Sequence, residues 1–189
     1  MSTAHRGTAL LLMDLQVTNV ARVTDPDYLP RAARALAAAR GAGVPVLHVA
    51  VGFRPGHPEV HPRNRVFGRL PGDALIPGDP NGAIHPDVAP REGEPVVIKN
   101  RVSAFAGNDL HQLLAAGGIE HLVLAGIATG GVVLATAAQA FDLDYRLTVL
   151  GDACFDRDPA FHDALVEKYF AKRGDVLTVS EWEKALSGA

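Results

Sequence analysis

Apolar runs that stop abruptly at a polar or small residue, separated by segments of helical spacing, constrain this chain more than any other feature. Thr8–Asp14 (TALLLMD), Val44–Val51 (VPVLHVAV), Val96–Lys99 (VVIK), His121–Gly126 (HLVLAG), Arg146–Gly151 (RLTVLG) and Val176–Val179 read as strands. Continuous rather than alternating apolar runs mark parallel strands buried on both faces. Between them, Tyr28–Ala42 carries Leu29, Ala32, Ala33, Leu36 and Arg40 at helical spacing and closes on Gly41 and Gly43. Such a run of strong helix formers with a terminal glycine predicts a helix. Gly107–Ala116 predicts another, stopped by Gly117–Gly118. Thr129–Leu143 follows with Thr129 as its N-cap, Pro159–Lys172 opens with proline in its first turn, and a tail helix covers Ser180–Leu186. Strict strand–helix alternation predicts an α/β protein. Its form is a three-layer α/β/α sandwich around a six-stranded parallel sheet with right-handed crossovers.

In such sheets a ligand sits beyond the carboxyl ends of the strands. Asp14, Lys99 and Gly126 lie at or just past three of those ends, so distant positions converge there. One segment breaks the alternation. Residues 52–94 hold eight of the thirteen prolines and seven glycines. That is too long for a plain connection and predicts a functional loop, a lid or an oligomer arm.

Composition excludes several classes. A length of 189 residues predicts one domain spanning 1–189. The net charge of −3 argues against nucleic-acid binding by phosphate neutralisation. No apolar run reaches the roughly 18–20 residues of a membrane span. The opening residues lack the apolar core of a signal peptide, so a cytoplasmic location is expected. The single cysteine, Cys154, excludes disulfides and Cys-based metal clusters within the chain.

The candidate groups each have a bland and a chemical reading. Asp14, ending a strand of leucines and Met13, either caps a loop, the commoner fate, or sits desolvated beside a cation. Lys99, ending another apolar strand, ordinarily snorkels into water. If the two meet in a cleft, the lysine favours the ionised carboxylate and the pair can move a proton. Gly126-Ile-Ala-Thr129-Gly130-Gly131-Val132 joins a strand to a helix. The amides of Gly130, Gly131 and Val132 either face an anion or developing oxyanion, or belong to a turn that needs small residues. The stretch lacks GxGxxG spacing, and no P-loop or GxSxG is present. His57 and His61 are four apart, but Pro58 and Pro62 break the helix that would align them on a metal. Cys154 reads as a buried spectator thiol.

Taken together, Leu-Leu-Leu-Met-Asp14-Leu-Gln16, Val-Ile-Lys99-Asn-Arg-Val-Ser103-Ala-Phe105, His-Leu-Val-Leu-Ala-Gly126-Ile-Ala-Thr129 and Asp152-Ala-Cys154 resemble the isochorismatase-like hydrolase superfamily, which includes nicotinamidases, carbamoyl-amide hydrolases and isochorismatases. The resemblance covers nearly the whole chain. It implies a Rossmann-like six-stranded fold, an Asp–Lys–Cys triad, a cis peptide at Ile127–Ala128 and a homo-oligomer. Asp14 and Lys99 match the first two members of the triad. The nucleophile's place, three residues after the threonine of the turn, holds Val132. Cys154 does not replace it, because the family often carries a non-catalytic cysteine there. The metal-binding Asp and His of nicotinamidases have no match in Val51-Gly52-Phe53-Arg54, so neither metal nor cofactor is expected.

An isopropyl group cannot attack a carbonyl, so covalent thioester catalysis is unavailable at Val132. The expectation is a hydrolase of a small molecule in which Asp14 transfers a proton and Lys99 orients it. Its reaction would be cleavage of a vinyl ether, as in the isochorismatase branch of the resemblance. Two alternatives stand beside it: an amide or imide hydrolase using water held by Asp14, and a non-catalytic ligand-binding or assembly homologue. Gln16, Phe53, Arg54, Phe105, Thr129, Gly130, Gly131 and Val132 are the expected substrate-binding residues.

Overall fold

The computed structural model describes residues 6–188. The opening stretch considered for a signal peptide lies, through residue 5, outside them. Six strands form one parallel sheet: β1 (Thr8–Met13), β2 (Val46–Val51), β3 (Val96–Lys99), β4 (His121–Ile127), β5 (Arg146–Phe155) and β6 (Asp175–Leu177). Their order across the sheet is β3-β2-β1-β4-β5-β6. β1 and β2 are buried along their whole length, as their uninterrupted apolar sequences require.

Helices cover both faces. On one, α2 (Tyr28–Ala42) and α6 (Val179–Ser187) bury Ala32, Ala35, Leu36, Ala39, Val179 and Trp182 against Leu10, Leu12 and Val123. On the other, α3 (Leu110–Ala116) and α4 (Leu134–Asp142) pack Leu110, Leu114, Ala137 and Ala140 on Leu11, Met13, Leu122 and Leu124. α6 is started by a capping box in which the Thr178 hydroxyl accepts from the Glu181 amide and the Glu181 carboxylate accepts from Thr178.

Several boundaries differ from the sequence expectation. The strand expected over Arg146–Gly151 runs on to Phe155, because Cys154 and Phe155 resume pairing with Gly126 and Ile127 past an irregularity in the ladder. The helix expected from Thr129 begins with a π-turn over Thr129–Val133, kinked at Gly131. The helix expected over Pro159–Lys172 is α5 (Pro159–Ala164) followed by a π-turn and a 3₁₀ turn through Lys172. A four-residue helix, α1 (Val17–Val20), has no periodic signature and was not expected. Among the described residues, no helix is long and apolar enough to cross a membrane.

The order of strands reverses direction between β1 and β4, which are neighbours although 113 residues separate Thr8 from its partner His121. This is the switch point at which parallel sheets open a crevice. The close approach there requires glycine: a Cβ on Gly126 would lie 2.4 Å from the Met13 carbonyl oxygen. The arm 52–94 closes over the crevice and is tied down at several points. The Gln16 amide donates to Val51 O at 2.9 Å and Gly82 O at 2.7 Å and accepts from Val51 N at 2.9 Å. His57 bonds Ala74 O at 2.8 Å. At the far end Glu94 accepts two bonds of 2.7 Å from Arg40 and lies 3.1 Å from buried His48.

Candidate active site

Asp14 is the first residue past β1, held with a left-handed φ of 60°. Its amide donates to Val49 O at 2.8 Å, and its carbonyl accepts from the Asn19 side chain at 2.9 Å. Those two bonds hold the carboxylate out of the strand in a conformation that a non-glycine residue seldom adopts. Lys99 ends β3 opposite Val51 and is 1% exposed. Its ammonium lies 2.9 Å from Asp14 Oδ2 and donates to Arg101 O at 3.1 Å. The two residues that the sequence left as separate candidates are therefore one ion pair.

Asp14 Oδ1 is buried and has no hydrogen-bond partner. Asp14 is among the residues that line a cavity of about 590 Å³ beyond the strand ends. Burial raises the Asp14 pKa to about 6, against the pull of the Lys99 charge and hydrogen bond, which lower it. A carboxyl group with one committed and one free oxygen, titrating near neutrality, can give or take a proton at physiological pH.

The opposite wall is the turn after β4. Ile127–Ala128 is joined by a cis peptide bond. Gly131 and Val132 line the cavity, and Val132 is 2% exposed. Cys154 lies off the cavity in the core between β4 and the helices, with its thiol pushed up to about 12 by burial. Burial favours the protonated thiol over the thiolate, which is the nucleophilic form.

The amides expected to cradle an anion are largely committed. Gly130 N donates to Asp156 Oδ2 at 2.8 Å, and Gly131 N donates to Ala128 O at 3.0 Å. Gly130 is itself required by packing: a Cβ would lie 2.2 Å from the Phe161 ring. Thr129 makes no cap. Its buried hydroxyl bonds His162 Nδ1 at 2.8 Å, away from the cavity, because the π-turn makes Ala128 the residue before the helix.

Other expected binding residues also lie elsewhere. Gln16 is fully buried and spent on backbone groups of β2 and the arm. Phe105 packs in the core beside Tyr145. Phe53 stacks on His57 and Phe67, and exposed Arg54 pairs with Glu59 at 2.6 Å. Phe53 and Arg54 line not this cavity but a neighbouring one of about 760 Å³, which shares Val51, Leu75 and Asp79 with it. His57 and His61 do not converge: the first bonds Ala74 O, and Nδ1 of the second accepts from Arg63 N at 3.1 Å. Among the described residues, no three His, Cys, Asp or Glu side chains form a metal-binding group.

The cavity also takes residues that sequence reasoning missed. Thr18, Asn19 and Arg22 come from and just after α1, and Val66, Phe67 and Leu70 come from the arm. Neither segment has the periodicity that would have revealed them. The Pro/Gly content of the arm was the one available signal.

Comparison with known proteins bears on this geometry. A family model described as isochorismatase domain matches residues 8–181. Maleamate amidohydrolase of Pseudomonas putida is 32% identical over 182 residues, covering 92% of this chain and 84% of that protein. Ureidoacrylate amidohydrolase RutB of Yersinia enterocolitica is 33% identical over 162 residues, covering 77% and 70%. An isochorismatase family protein from Burkholderia thailandensis superposes with a TM-score of 0.84 at 29% identity, covering 96% of each chain.

Proposed function

The chain belongs to the isochorismatase family and is a hydrolase of it; from that premise we propose that it hydrolyses a small molecule by proton transfer through Asp14, with no covalent enzyme intermediate. The observation that carries the reading is Asp14, whose Oδ1 is buried and unpartnered, in the lining of a cavity to which Val132 also contributes.

The bond best suited to this cavity is a vinyl ether. Protonated Asp14 delivers its proton to the terminal alkene carbon, the π pair forms the new C–H bond, and an oxocarbenium ion results. That cation needs a nearby negative charge, which the newly ionised Asp14 supplies. Water adds to the cationic carbon and returns its proton to Asp14, and the hemiketal collapses to a carbonyl compound and an alcohol. Lys99 holds Oδ2 and so leaves Oδ1 as the proton-carrying oxygen. No step requires an oxyanion hole, which fits the commitment of the Gly130 and Gly131 amides to Asp156 and Ala128.

A second reading, hydrolysis of an amide by water that Asp14 deprotonates, draws on the two amidohydrolase relatives. It has to stabilise a tetrahedral oxyanion with fewer free amides, a contribution of about 3–4 kcal/mol for a single donor elsewhere.

The pH profile of kcat/KM separates the two. An acid role needs the protonated carboxyl, so the rate falls tenfold per pH unit above about 6. A base role needs the carboxylate, so the rate rises with pH and levels off above the same value. A profile flat from pH 4 to 8, measured on turned-over vinyl ethers and amides, removes Asp14 from both schemes.

A further inference from the structure

The turn after β4 has two sides. Ile127, Ala128, Gly131 and Val132 line the main cavity, while Thr129 and Gly130 between them are held by the segment that follows β5. That segment leaves the sheet at Phe155, in register with Ile127, and returns at His162, whose Nδ1 lies 2.8 Å from the Thr129 hydroxyl. On the way Asp156 Oδ2 accepts from Gly130 N at 2.8 Å. Phe161 is 44% exposed, yet its ring lies so close to Gly130 that a Cβ there would stand 2.2 Å from it. The segment is braced within itself. Asp156 Oδ1 accepts from Asp158 N at 3.2 Å, Asp158 Oδ1 from Phe161 N at 3.1 Å, and Asp158 O from His162 N at 3.0 Å.

We propose that His162 and Asp156 are positioning residues: acting through Thr129 and Gly130, they set where Gly131 and Val132 stand in the cavity that Asp14 also lines. Their role presupposes the proton-transfer reading of Asp14 and adds to it the device that keeps the reacting carbon of the substrate at the carboxyl group. Proton transfer needs the reacting atoms about 3–3.5 Å apart, and a misplacement of about 1 Å can cost about 10²-fold in rate. Asp14 is fixed from its own side by Val49 O, the Asn19 amide and Lys99. Gly131 and Val132 belong to a kinked π-turn, in which Gly131 N and Val133 N both donate to Ala128 O, at 3.0 and 3.3 Å. Those bonds tie the turn to itself. The Thr129 hydroxyl and the Gly130 amide bind it to a second element, and the two cavity-lining residues that follow are displaced when either bond is lost. The contact with His162 survives a change of ring tautomer, because a hydroxyl both donates and accepts.

The test combines steady-state kinetics, on the vinyl ethers and amides that the wild type turns over, with amide hydrogen exchange and melting temperatures. The variants are His162→Phe, His162→Asn, Asp156→Ala and Asp14→Asn. His162→Phe keeps a ring without its polar atoms: kcat falls about tenfold or more while KM stays within about twofold. The midpoint of its pH profile stays near about 6, because Asp14 and Lys99 are untouched. His162→Asn places an amide where Nδ1 stood and restores most of kcat. A brace that served stability alone would lower the melting temperature of His162→Phe and leave kcat as it was. That result, or failure of His162→Asn to restore the rate, overturns the positioning role. Asp156→Ala releases Gly130 N and lowers kcat in the same way, so the question is decided even where His162→Phe does not fold. The amides of Gly130 and Gly131 exchange about tenfold faster in Asp156→Ala and His162→Phe, and as in the wild type in Asp14→Asn. Exchange needs no substrate, and unchanged protection in both brace variants also overturns the role. Turnover surviving in Asp14→Asn overturns the proton-transfer reading instead.

Discussion

The strand ends carrying Asp14, Lys99 and Val132 and the arm over residues 52–94 face each other across one cavity, but different forces position them. Asp14 and Lys99 are fixed by the ladder of a buried sheet: Val51 pairs with Lys99, Met13 with Val49 and with Gly126. Moving Asp14 means disturbing β1, which is buried throughout, and moving Lys99 means breaking the pairing of β3 with buried β2. The arm has no ladder. It is held by one isolated antiparallel bridge of Gln16 with Ile84, by scattered side-chain bonds from Gln16, His57 and Glu94, and by a small cluster of Val51, Phe53 and Phe67. The contrast suggests a division of labour, with proton transfer assigned to the rigid wall and substrate choice to the tethered one.

The largest expected effect probes the rigid wall. Asp14→Asn keeps the shape and a partner for Lys99 but removes the transferable proton. Turnover should fall by roughly 10²- to 10⁴-fold, the usual contribution of a positioned acid or base. The melting temperature is to be followed alongside, since an unfolded variant would mimic the loss. A folded Asp14→Asn variant with full activity would erase the distinction between the two walls.

A smaller effect is expected across the cavity. Phe67, 8% exposed, lines the chamber and packs edge-on against Phe53. Phe67→Ala should raise KM by up to about tenfold, equal to about 1.4 kcal/mol of binding, with kcat little changed. Its stability cost should be about 2 kcal/mol, below the roughly 3–5 kcal/mol of a phenylalanine in a main core. A large fall in kcat instead would mean that the arm takes part in the chemical step.

The same contrast explains what could be read from the sequence. The sheet was legible because long apolar runs such as Leu10–Met13 and Leu122–Ala125 have one way to be buried. Asp14 and Lys99 were legible because each interrupts such a run at its end. Their meeting follows from the order β3-β2-β1, which sets both residues at one edge of the sheet two strands apart, a property of topology rather than of spacing. The turn after β4 was misread for a local reason. Thr129 before two glycines has the look of an N-cap, but the π-turn rotates its hydroxyl onto His162, and Asp156, 26 residues away, takes the Gly130 amide. Partners that distant leave no trace in spacing. The cavity residues Arg22, Val66 and Leu70 were hidden because a four-residue helix and an irregular arm have no period to detect.

The smallest expected effect concerns the one thiol. Cys154 lies 5% exposed on β5 in register with Gly126, one strand away from the cavity wall. It is near enough that a covalent role would suggest itself from composition alone. Its environment argues otherwise. Burial pushes its pKa to about 12, and its sulfur faces the Leu124 carbonyl at 4.0 Å rather than the chamber. A thiolate is the reactive form, and at pH 7 an acid with that pKa is ionised in about one molecule in 10⁵. Cys154→Ala should therefore leave kcat and KM within about twofold while costing about 1 kcal/mol of stability from the lost sulfur contacts. Intact-mass measurement during turnover gives the complementary reading. A substrate fragment attached to the wild-type chain and missing from Cys154→Ala would move the nucleophile into the core, and neither wall of the cavity would then hold the chemistry.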